Sequence, residues 1–231
     1  IKRGLFLPLA GTSLWEDDTL PKWEERPYDV VFTGNYTPLS KFEPTIERHG
    51  KEYADFYYGI IEDFKKHPHL GMDIGIREHL LSEVEDITED GVKEMMPNMI
   101  MIDLYVRNYF RGKVVQTLVD AGVSVHCFGA GWEFLPCEHP ENLIKEGGVD
   151  SLACLQALSK AKVSLNVMPW FKDGAHDRVF NSMLNGAVCF TDWSRYLTEN
   201  LRDGEDICFY ELDALECLPD MVQGILENRK E

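Results

Sequence analysis

The chain has 231 residues, with 23 Lys plus Arg against 40 Asp plus Glu, a formal net charge of −17. That length suits one large domain with a sizeable core, and the acidic balance argues against a broad nucleic-acid footprint and against docking on anionic membranes. No apolar run reaches transmembrane length, and the opening residues do not resemble a signal peptide. Three of the six cysteines, Cys127, Cys189 and Cys208, fall in apolar strand-like runs, where a reduced thiol behaves as a small hydrophobe. The expectation is a cytoplasmic protein with reduced cysteines.

Residues 1–27 read as a connecting segment from a preceding N-terminal domain, and 28–231 as one domain. The run "YDVVFTGNY" (28–36) predicts a strand with a sharp turn at its carboxyl end. A helical block follows: 52–67, with Phe56, Ile60, Ile61 and Phe64 on one stripe, then 73–86, then 101–122 with Gly122 as its C-terminal cap. Beyond it the rhythm is strand (123–132), helix (149–161), strand (162–170), helix (177–185), strand (187–192), short helix (194–201), strand (206–210) and helix (211–230), the last interrupted near Pro219. Short apolar strands alternating with helices predict an α/β fold, one parallel sheet with helices on both faces and the block 52–120 inserted after the first strand.

In such a sheet a ligand sits at the carboxyl ends of the strands. Three loops there carry suggestive residues: Gly34-Asn35-Tyr36, Gly129-Ala130-Gly131-Trp132, and "FKDGAHDR" (171–178). In the last, Gly174 lets backbone approach a ligand, the following helix presents unpaired N–H groups, Arg178 offers a forked donor suited to diphosphate, and His176 titrates near neutrality. The plainer alternative makes Asp177 a helix N-cap and Arg178 an exposed helical charge. The Gly129/Gly131 pair lacks the third glycine of a dinucleotide fingerprint. Neither "HPHLGMD" with His79 nor Cys137-Glu138-His139 with Cys127 has the paired spacing of a zinc site, and no bound metal or cofactor is expected.

The stretches "KVSLNV", "DGAHDRVFNSMLNGAVCFTD" and "YLTENLRDGEDICFY" resemble the C-terminal, donor-binding half of group 1 GT-B glycosyltransferases, a Rossmann-like domain, and within them the spore-maturation (CgeB-like) branch. "YDVVFTGNY" is similar to that family's first strand, and "FLPLAGT" to the segment joining its two halves. The resemblance implies transfer of a sugar from a nucleotide-sugar to an acceptor held by an N-terminal domain, with retention of configuration. It implies donor contacts at Gly34, Asn35, Gly129, Gly131, Asp173, Gly174 and Ala175 and a diphosphate balanced by Arg178 and the helix N–H groups; His176, which replaces the family's second loop glycine, joins Arg178 as a catalytic candidate. Many members carry two acidic residues separated by seven others, the first contacting the sugar and the second holding the ribose; the matching positions here are Asp173 and Asn181, the latter a neutral group with a different donor pattern. A non-catalytic nucleotide-binding or interaction module is the alternative.

Overall fold

The computed structural model describes residues 7–14, 20–169 and 171–227. Among them six strands form one sheet in the order β3-β2-β1-β4-β5-β6: β1 (Tyr28–Thr33), β2 (Val125–Phe128), β3 (Leu143–Gly147), β4 (Ala161–Asn166), β5 (Val188–Asp192) and β6 (Cys208–Tyr210). Every pairing is parallel. Val30, Val31 and Phe32 of β1 are fully buried, because a central parallel strand is covered on both faces and must be apolar on both. The chain runs outward from β1 through β2 to β3, then returns to lay β4 on the other side of β1. That reversal makes the β1/β4 boundary the switch point of a Rossmann-like sheet.

One strand departs from the sequence expectation of five. "LIKEG" (143–147) pairs with β2 at the sheet edge, and only Leu143 is buried. An edge strand needs backbone pairing on one side only, so it carries no apolar run for a pattern to reveal. The final helix also differs: it starts at Leu218, not Glu211, with Pro219 in its first turn, where a missing N–H costs nothing.

The inserted block comprises α1 (Glu43–Glu47), α2 (Lys51–Lys66), α3 (Met72–Glu83), α4 (Glu89–Met95) and α5 (Ile100–Asp120). On α2 the buried stripe is Ala54, Tyr57, Ile60, Ile61 and Phe64, with Phe56 at its margin; each fully buried aliphatic or Phe side chain stabilises by about 1.5–3 kcal/mol relative to exposure. Gly122 ends α5 with φ +90°, and the Val123 N–H returns to the Leu118 carbonyl at 3.0 Å. That left-handed turn is a conformation glycine adopts without strain.

Core residues of α5 and β1 share one cluster with Val222 of α9 (Leu218–Glu227). A second cluster, Val31, Ala157, Leu158, Ala161 and Ala187, seats α6 (Ser151–Ser159) on the opposite face. There α6 lies beside α7 (Asp177–Leu184), and α8 (Arg195–Asn200) follows β5. Arg26, buried, donates to the carbonyls of Ala161 and Gly186 and ties the segment before β1 to β4 and the turn before β5. All six cysteines are free. Among the described residues no helix is long and apolar enough to cross a membrane.

Candidate functional site

The carboxyl ends of β1 and β2 are laced together by backbone. The Gly34 N–H donates to Phe128 O at 2.8 Å, the Tyr36 N–H to Ala130 O at 3.0 Å, and the Trp132 indole to Gly34 O at 2.8 Å. Asn35 Oδ1 accepts from the Ala130 N–H at 2.8 Å. The two glycines of the second loop are required by this crossing. A Cβ at 129 would lie 2.1 Å from Gly34 O, and one at 131, where φ is +92°, 1.9 Å from Tyr36 O. Trp132 is core, stacked on Tyr36 with centroids 5.3 Å apart. Asn35→Ala is expected to cost about 1 kcal/mol of stability, since the Ala130 N–H loses its acceptor; urea unfolding of the two proteins measures it.

Against these loops opens a cleft of about 400 Å³ at the switch point. Thr33, Gly34, Asn35, Phe128 and Gly129 form its floor; Ser151, Cys154 and Leu155 of α6 form one wall; His176, Asp177, Arg178 and Asn181 at the start of α7 form another, with Thr12 beside them. The structure thus brings Gly34, Asn35, Gly129, His176, Arg178 and Asn181 into one lining, although they come from three separate stretches of chain. Gly131, Asp173, Gly174 and Ala175 are not in it. Asp173 is exposed and paired with Arg195 at 2.8 Å, the Gly174 carbonyl accepts from Ser194 Oγ, and Ala175 is buried among Val179, Leu197 and Ile207. These three shape the loop that delivers His176. A buried ion pair finishes that work: Lys172 Nζ lies 3.0 Å from Asp192 Oδ2, and Asp192 Oδ1 accepts from the Met168 N–H at 2.6 Å. Burial pushes the Asp192 carboxyl up, and the Lys172 ammonium opposes it.

Arg178 is not the exposed helical charge of the plainer reading. It is 8% exposed, its Nη1 donates to Asn166 Oδ1 at 2.7 Å, and its guanidinium lies 5.3 Å from the Phe32 ring centre. Asn166, at the end of β4, is held in turn by Thr191 Oγ1 at 2.8 Å and the Tyr210 hydroxyl at 2.6 Å. The residue at the N-cap of α7 is His176, not Asp177. Its Nδ1 lies 2.6 Å from Asp177 Oδ1 and 3.2 Å from the Arg178 N–H. The shorter contact, to a carboxylate, places the ring proton on Nδ1, which leaves the second as a close approach.

Two further cations reach this corner from α5, and sequence reasoning missed both. Arg111 Nη1 donates to Asn35 O at 3.1 Å, and Arg107 pairs with Asp103 at 2.5 Å. Burial first, then the charges of Arg178 and Arg107, lower Arg111 to about 9, still a cation at neutral pH. His176 is lowered to about 4, by burial first and then by Arg178, with Asp177 opposing and Arg111 and Arg107 adding to the depression. The ring is therefore neutral at pH 7. The signal that could have exposed this corner is the run "DLYVRNYFR" (103–111), two arginines one helical turn apart on α5.

The metal-capable sets of the sequence do not assemble: His67 and His79 both turn to Asp63, at 3.6 and 3.2 Å. A different trio, His69, Glu211 and Asp213, lies together at the surface, all three exposed.

The structure is an α/β protein with a Rossmann-like sheet and a cleft at its switch point, with Arg178 in the lining and Arg111 held against the turn after β1. Residues 111–231, just over half the chain, match the glycosyl transferase-like family. The chain belongs to that family. Comparison with curated proteins finds no match, and neither does comparison with solved structures.

Proposed function

We propose that this chain is the donor-binding domain of a GT-B glycosyltransferase of the CgeB-like branch, taking a nucleotide-sugar and passing its sugar, with retention, to an acceptor held by an N-terminal domain. The observation that carries the reading is the convergence of Arg178 and Arg111 on the turn after β1, at the start of α7, in a protein whose net charge is −17. Two cations half or wholly removed from water, repelling each other, are stabilised by an anion; a diphosphate supplies one. As the glycosidic bond breaks, negative charge grows on the leaving diphosphate, and the fixed guanidinium together with the N–H groups of α7 would balance it without reorganisation. No metal is needed for that step in this scheme. The free thiols accord with a reducing cytoplasm.

Calorimetric titration with uridine and guanosine diphosphates tests the reading, followed by a donor-hydrolysis assay on the full-length protein. Saturable binding of a nucleoside diphosphate, and much weaker binding of the bare nucleoside, are expected. A chain that binds neither diphosphate is not a donor domain.

A further inference from the structure

Residues 10–14 do not simply pass by the cleft. The Thr12 N–H donates to Asn181 Oδ1 at 2.8 Å, and the Thr12 carbonyl accepts from Asn185 Nδ2 at 2.8 Å. The Leu14 N–H donates to Asn185 Oδ1 at 3.1 Å. Two asparagine amides four residues apart, Asn181 on α7 and Asn185 at its C-terminal cap, therefore clip this short strap as a neighbouring strand would. The fit is close enough to need Gly11, where a Cβ would lie 2.7 Å from the Phe180 carbonyl carbon and from its Cβ. Thr12 and Asn181 both line the cleft, whereas Gly11 and Asn185 do not.

We propose that the strap is a working part of the cleft: it fixes the Asn181 amide with its oxygen turned to Thr12, so that its NH2 group is what a ligand meets. The deduction rests on the nucleotide reading above and sharpens it. A backbone N–H can donate only to the amide oxygen. On the other side of the amide, Asp177 Oδ2 stands 3.5 Å from Nδ2. Flipping the amide would set NH2 against N–H and oxygen against carboxylate, two repulsive contacts in place of two attractive ones. Asn181 is thereby a donor toward the cleft. It reads an acceptor oxygen of the nucleotide, phosphoryl or ribose, where a carboxylate at this position would instead accept from a hydroxyl.

The test uses the whole chain and the nucleoside diphosphate that the wild type binds, with two readouts: amide hydrogen exchange at Thr12 and Leu14, and affinity. Gly11→Ala pushes the strap off α7 while leaving every side chain of the lining chemically unchanged. Faster exchange at both amides and about fivefold weaker binding are expected, the loss of roughly one oriented hydrogen bond. Asn181→Asp keeps an acceptor for Thr12, so Thr12 exchange stays near wild type, yet binding falls by about tenfold or more as a carboxylate meets acceptor oxygens. Asn181→Ala falls between, at about fivefold. Comparing diphosphate with bare nucleoside then separates the two oxygens, since a phosphoryl contact loses nothing on the nucleoside. Wild-type or tighter binding by Asn181→Asp overturns the donor assignment. Unchanged exchange in Gly11→Ala overturns the clip, and loosened exchange with unchanged affinity overturns its link to the ligand. A wild type that binds no nucleoside diphosphate overturns the nucleotide reading itself, and the ligand contact with it, while the exchange data still report the clip.

Discussion

Arg178→Ala is expected to weaken nucleoside diphosphate binding by roughly 2–3 kcal/mol, the size of a charge-assisted contact, and to leave binding of the bare nucleoside nearly unchanged. Arg178→Lys should recover only part of the loss, because an ammonium cannot reproduce the planar fork. The burial of Arg178 adds a second consequence that an exposed residue would not have. Truncation strips Asn166 Oδ1 of its donor and opens space beside Phe32, so the fold should lose on the order of 2–4 kcal/mol as well. Urea unfolding measures that second term, and titrations must be run where all variants are folded. Equal losses across nucleoside, monophosphate and diphosphate would mean that the cleft has collapsed, and an unchanged diphosphate affinity would remove Arg178 from the ligand site.

The second large effect is on pH. His176 titrates near 6.5 when unfolded and near 4 in the fold. Between those values the unfolded chain binds the proton that the folded ring refuses, so stability falls as pH drops from 6.5 toward 4 and the loss is complete below it. With the side chain three-quarters buried, the contribution is on the order of 2–3 kcal/mol. His176→Gln should flatten this segment of the stability profile, measured by urea unfolding at intervals between pH 7 and pH 4. A variant profile parallel to the wild type would mean that the ring is already charged in the fold. Because Arg178, Arg111 and Arg107 all contribute to the depression, a bound diphosphate should lift the His176 pKa. Binding near pH 5 should then take up protons, detectable as a dependence of the calorimetric heat on buffer ionisation.

These two residues also show how much of the site could be read along the chain. His176 and Arg178 stand together where a loop becomes a helix, and a helix start after a strand is a local pattern. What Arg178 does there is not local. Its burial follows from Phe32 on β1 and Asn166 on β4, strands that become neighbours only through the return of the chain across the sheet. Arg111 and Arg107 were overlooked for the same reason: on α5 they are ordinary basic residues until the packing of α5 brings them to the turn after β1. Asp173, by contrast, has the right neighbours in sequence but points to Arg195 and the surface.

The sequence by itself determined the alternation of strands and helices, the parallel α/β class, the helical insertion and the glycine-capped helix ends, because these depend on periodicity and backbone conformation over a few residues. Only the tertiary structure decided that β3 completes the sheet, that Gly129 and Gly131 exist to let two loops cross, and that Thr12 sets the polarity of Asn181. Each of those rests on contacts between segments far apart in the chain. Hydrogen bonds and Coulomb interactions act through space over a few ångströms, so their partners are fixed by how the strands are ordered in the sheet and not by where they fall in the sequence.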